Sequence, residues 1–231
     1  MGLSTTDLGT GGSGQPKTIS PGNHLLKINS IELEDFKFID NAKHLMLHVE
    51  TEPIEGFTGF MIDKDDESKG HYAGQIGRVK ASQYAYADGE TKSGQKIQRD
   101  RSMMIFLQNL CKTAGINDWF IAQDNLHETV EDLIIAFNKT APFKGKYREF
   151  CVAGQEYVGK TGYTNYDMYL PKGEKNKYAY GEIEAGKVLV YNEATHLKKV
   201  ETAEVKNFGD DDDSVGDFNI PSKSASDFSL D

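Results

Sequence analysis

Alternating apolar stretches come first in this chain, helical stripes second and alternating stretches again third, and this order constrains its fold most. In H-L-L-K-I-N-S-I-E-L, Leu26 and Ile28 alternate, then Ile31 and Leu33 do, and the phase slips one residue at Asn29-Ser30. A period of two marks a half-buried strand, and a slipped phase marks a β-bulge. Asp40-Asn41 reads as a turn. Leu45, Leu47 and Val49 make a second strand, and residues 57–62, F-T-G-F-M-I, a third. Residues 63–98 are polar, glycine-rich and tyrosine-containing without clear periodicity, which points to a functional or mobile stretch.

The period then changes to that of a helix. Met103, Leu107, Leu110, Cys111 and Ala114 share one face, and Gly115 suits the C-terminal cap. A second short helix carries the stripe Val130, Leu133, Ile134 and Phe137, with Asn125 as N-cap and Glu128 three residues on. From Phe143 the pattern is β again: K-G-K-Y-R-E-F-C-V-A, its hairpin partner G-Y-T-N-Y-D-M-Y-L-P, then the shorter K-V-L-V-Y and H-L-K-K-V. A mainly β, α+β chain with helices between strands 3 and 4 has the order of an OB-fold, a small Greek-key barrel; another α+β arrangement also fits the composition. On the hairpin partner G-Y-T-N-Y-D-M-Y-L-P, period two turns Tyr166, Met168 and Leu170 inward and Tyr163, Asp167 and Tyr169 outward.

Charge divides the chain further. Residues 1–20 read as a Gly/Ser/Thr-rich leader, residues 21–206 as one domain, and residues 207–231 as an acidic tail without enough apolar mass to fold. The tail takes seven of the 36 acids and one of the 26 Lys/Arg, so residues 1–206 hold 29 acids against 25 cations. A body this balanced leaves room for a local basic surface. Two Asp-Phe pairs, Asp217-Phe218 and Asp227-Phe228, give the tail docking points for a partner. No signal-peptide pattern or membrane-spanning apolar run is present, and Cys111 and Cys151 read as buried small hydrophobes of a reducing compartment, so a cytoplasmic location is expected. The sequon Asn138-Lys139-Thr140 is then chemically idle.

Residues 154–161, G-Q-E-Y-V-G-K-T, match a phosphate-binding loop letter for letter, but that loop must open a helix, and the following G-Y-T-N-Y-D-M-Y-L-P does not read as one. We read G-K-T-G as a hairpin turn. His44 and His48 lack further ligands at zinc spacing, and Ser222 stands where a calcium loop beginning at Asp211 needs its glutamate. No nucleophile–base set assembles, so neither an enzyme nor a cofactor is expected.

Tyrosines instead gather beside cations: Arg78, Lys80, Tyr84 and Tyr86; Lys144, Lys146, Tyr147 and Arg148; Tyr157, Lys160, Tyr163, Tyr166 and Tyr169; Lys175, Lys177, Tyr178 and Tyr180. Tyrosines fill the walls of β-barrels, so any one of them has a structural explanation. Clusters that repeat the pairing suit single-stranded nucleic acid, whose phosphates take the cations and whose bases stack on rings.

With these features the chain resembles phage-encoded single-stranded DNA-binding proteins of DNA replication and recombination. The residues that carry the resemblance are P-G-N-H-L-L-K-I-N-S-I-E-L, S-K-G-H-Y-A-G-Q-I-G-R-V-K and the tail. It implies an OB-fold core and an acidic tail that competes with DNA for the body and recruits replication proteins such as a polymerase, helicase or primase. Bacterial relatives end in Ile-Pro-Phe; here Asn219-Ile220-Pro221 is internal and the final residues are Phe228-Ser229-Leu230-Asp231. The expected phosphate contacts are Arg78, Lys80, Lys144, Lys146, Arg148, Lys160 and Lys177. Tyr84, Tyr86, Tyr147 and Tyr163 are the expected stacking residues, and a homo-oligomer is compatible. The rival reading is a viral structural or assembly protein whose β-domain binds protein or glycan.

Overall fold

Leu26 and Ile28, then Ile31 and Leu33, face the core along β1 (Gly22–Asp35) because its register against β2 (Lys43–Thr51) shifts between Ile28 and Ser30. Asn29 is the extra residue of a β-bulge, which bends and over-twists a strand. The bend lets one strand serve two neighbours: residues 22–26 pair with β8 (Arg148–Val158), and the rest continues along β2. The computed structural model describes residues 18–53, 59–62, 70–159, 164–174, 177–181 and 186–199.

Five strands close on themselves in the order β1, β2, β5 (Ile76–Lys80), β9 (Thr164–Tyr169), β8 and back to β1. Every pairing is antiparallel except β5–β9, which is parallel and meets at Lys80–Tyr169. The result is a closed five-stranded β-barrel of OB-fold-like order, with helices between the third and fourth barrel strands. The third barrel strand is not the one the sequence pointed to. β3 (Gly59–Ile62) pairs with β4 (Gly70–Ala73) in a separate hairpin, and β5 takes the barrel position. The sequence hid β5 because its inward positions are Gly77 and Val79, while Ile76 points to solvent. β6 (Gly89–Glu90) and β7 (Lys96–Ile97) form a further short hairpin.

The helices cap the barrel core. α1 (Arg99–Thr113) buries Met103, Leu107, Leu110 and Cys111, and these join the barrel side chains in one cluster. Its end is a Schellman turn: Gly115, at φ +68°, donates to Lys112 O and Ile116 donates to Cys111 O. α2 (Asn117–Ala122) is too short to show a period. α3 (Val130–Thr140) buries the expected stripe, but its N-cap is Thr129, whose hydroxyl accepts from Asp132 N at 3.1 Å. Asn125 instead takes a left-handed φ of 56° before the helix.

Asn138, the sequon residue, is a fold element. Its side chain accepts from Ile31 N and donates to Ile31 O, both at 2.8 Å, along the part of β1 that β8 no longer covers. β8 pairs in succession with β1, β10 (Tyr180–Gly181), β9 and β11 (Leu197–Lys198), the last preceded by the single-turn α4 (Glu193–His196). No helix among the described residues is long and apolar enough to cross a membrane.

Candidate nucleic-acid interface

Alternation that buries Leu45, Leu47 and Val49 turns His44, Met46, His48 and Glu50 to the outer face of β2. The register lays Glu32, Met46 and Lys80 in one row, Ser30, His48 and Arg78 in the next, and Lys27, Glu50 and Ile76 in a third. Arg78 and Lys80, taken from one sequence cluster, therefore share a sheet face with the acids of β1.

They are paired there. Arg78 binds Glu32 at 3.3 Å and also Glu34, while His48 Nε2 contacts Glu32 at 2.9 Å. Lys80 binds Asp167 at 2.5 Å, and Lys27 binds Glu50 at 3.1 Å. The hydrogen bond from His48, with Arg78 beside it, holds the Glu32 carboxyl below its usual range, and Glu34 raises the Arg78 guanidinium. The part of the expected basic surface made by Arg78 and Lys80 is thus a face where these cations are matched by acids.

Aromatic side chains flank it. Tyr84 is 74% exposed, and Phe38, in the β1–β2 turn, is 86% exposed. Phe36 stands edge-on to both Phe38 (5.4 Å) and His44 (5.3 Å). At the other end the Lys27 ammonium lies 5.9 Å from the Tyr147 ring. β5 and β9 meet at one register pair and diverge beyond it. Between them lies a cleft of about 980 Å³ lined by Arg78, Lys80, Glu34, Tyr157, Tyr166 and Asp167. Tyr157 is half exposed. Two further stacking candidates emerge: Phe38, absent from the sequence clusters, and Tyr157, which stands in one of them but not among the four expected stacking residues. K-F-I-D looks like an ordinary turn, and Tyr157 sat inside the phosphate-loop look-alike.

Other expected residues are placed differently. Tyr86 packs on the core, exchanges backbone hydrogen bonds with Lys43, and has its phenol pushed up by burial. Arg148 donates to Thr113 O and Ala114 O at 3.0 Å each and to Tyr147 O at 2.7 Å, so it caps α1 instead of facing solvent. Tyr169 is 7% exposed, not on an open face, whereas Met168, Leu170 and Tyr166 do turn to the core. Lys144 is exposed and Lys146 half-buried on the loop after α3, and neither takes an ion pair among the described residues. Lys177 lies in a backbone bridge with Glu174 between β9 and β10, away from the rows above in the strand order. Lys160, Tyr163, Asp217, Phe218, Asp227 and Phe228 lie outside the described residues.

The look-alike motifs have structural explanations. Residues 154–158 are paired strand, opposite Met168 to Thr164, and not a phosphate-holding loop. Gly154 is required because Pro21 Cγ lies 2.4 Å from where a Cβ would stand. Cys111 and Cys151 are buried and free, and burial pushes both thiols up to about 12. Among the described residues no three His, Cys, Asp or Glu side chains gather at metal-binding distance. Comparison with protein-family models, with curated proteins and with solved structures finds no match to this chain.

Proposed function

We propose that this chain is a sequence-nonspecific single-stranded DNA-binding protein of replication or recombination, acting without catalysis. One observation supports the reading: Arg78 and Lys80 line a cleft of an OB-fold-like barrel together with the half-exposed Tyr157. Phe38 in the β1–β2 turn and Tyr84 just after β5 are exposed rings on neighbouring segments. Cations that follow phosphates beside rings that accept any base give sequence-tolerant binding. Tyr147, whose ring lies 5.9 Å from the Lys27 ammonium, would extend the path, with Lys144 and Lys146 close to it in sequence. In this reading residues 207–231 compete with DNA for the cations and, once displaced, offer Phe218 or Phe228 to a replication partner in the cytoplasm of the cell where the DNA is copied.

Fluorescence anisotropy of a labelled thymidine 30-mer tests it. Trp119 reports poorly, because it stands edge-on to Phe137 in the helical layer. The expected outcome is salt-steep binding indifferent to sequence, weakened by Phe38→Ala and Tyr84→Ala by about 1–3 kcal/mol each. No binding at low salt overturns the reading. Removal of residues 207–231 is expected to tighten binding, and weaker binding defeats the competition idea alone. The charge balance of the same face favours a second reading, a β-domain that binds protein or glycan in viral assembly. A defined large assembly with no nucleic-acid affinity would select it.

A further inference from the structure

Lys27, Arg78 and Lys80 are the cations on the outer faces of β1, β2 and β5, and each is held by a carboxylate. The counter-ions come from three strands: Glu32 and Glu34 on β1, Glu50 on β2, Asp167 on β9. They are spread along the face, so each of these three cations is opposed by a carboxylate among the described residues.

Protein–DNA affinity from phosphates comes mostly from releasing mobile salt ions. A tethered carboxylate cannot be released. A phosphate that takes Arg78 from Glu34 leaves that carboxylate beside the new phosphate, so the exchange gains little. A duplex turns its base faces inward and offers this surface chiefly phosphates. A single strand also offers base faces, which gain on Phe38, Tyr84 and Tyr157 whatever the ionic exchange yields.

We propose that Glu32, Glu34 and Asp167 are selectivity residues, tethered counter-ions that hold Arg78 and Lys80 back from phosphate-only ligands and thereby favour single strands over duplex DNA. The proposal rests on the single-strand reading above and adds the discrimination to it. Glu32 also binds His48, so its replacement frees the imidazole as well.

The test compares the full chain with Glu32→Gln/Glu34→Gln, with Asp167→Asn and with the triple variant, on a thymidine 30-mer and a 30-base-pair duplex over a salt series. Each released cation is expected to tighten duplex binding about two- to fivefold, the scale of an exposed ion pair. The slope of log affinity against log salt is expected to steepen by about 0.9 per added phosphate contact on duplex. Single-strand affinity should rise less, so the single-to-double-strand ratio falls. Equal tightening on both ligands overturns the proposal, as does unchanged or weaker duplex binding by either partial variant with an unaltered thermal melt. Failure of the parent chain to bind the 30-mer overturns the single-strand reading itself, a different result from a bound 30-mer with unchanged selectivity.

Discussion

Ala141 ends α3 in the left-handed region, φ +44°, while its N–H donates to Phe137 O. A Cβ there costs about 1–2 kcal/mol, and glycine avoids it at an unfolded-state cost of about 0.4–1 kcal/mol. Ala141→Gly should therefore stabilise the chain by about 0.5–1 kcal/mol, seen as a melting temperature raised by a few degrees; a lowered one refutes the strain argument. The contrast with Gly115 shows what single residues reveal. Gly115 announces its helix end because glycine is the residue that left-handed geometry selects. Ala141 carries no such mark, and only the closing of α3 against the next turn forces it there. The same limit hid Phe38, since exposure is a property of the surroundings and not of the residue. Arg148 misled for a related reason: a cation beside a tyrosine looks like a phosphate contact until the helix end it caps is in view.

At the scale of elements, the bulge at Asn29 was legible because a slipped apolar phase is local. What completes it was not. Beyond the bulge β1 loses β8, and Asn138 supplies the missing edge by bonding both the N–H and the C=O of Ile31. Asn138→Ala should cost about 1–3 kcal/mol, the penalty of stranding buried backbone groups. Urea unfolding should show a lower midpoint at an unchanged slope; an unshifted midpoint would mean that water replaces the amide without loss. β5 escaped the sequence because a strand whose inward positions are Gly77 and Val79 has too little apolar contrast to show its period. Gly77 is small for a reason outside its strand: a Cβ there would lie 2.5 Å from Ile19 Cγ1 of the segment that precedes β1.

For the whole molecule, pH reports on several packed groups at once. Burial holds His24 below its unfolded value of 6.5, against the opposing bond to Ser20 O, and burial followed by Lys80 does the same for His44. A depressed histidine binds its proton more readily when unfolded, so this stability is present above pH 6.5 and is lost as pH falls toward the folded values. Glu32 and Glu50 lie below 4.5, so their share is lost only below that pH. The melting temperature should decline in two stages, starting near pH 6.5 and again near 4.5, and His24→Gln should shallow the first. A flat profile from pH 7.5 to about 5 contradicts it. Residue order alone determined the periods, the bulge, the helical stripes and hence the strand–helix–strand order of an OB-fold-like barrel, because each is set by neighbours within a few positions. Tertiary structure alone decided which strand is third and that the face is charge-balanced. Arg78 meets acids 44 and 46 residues away and Lys80 meets one 87 away, distances in sequence that only barrel closure brings within an ion pair.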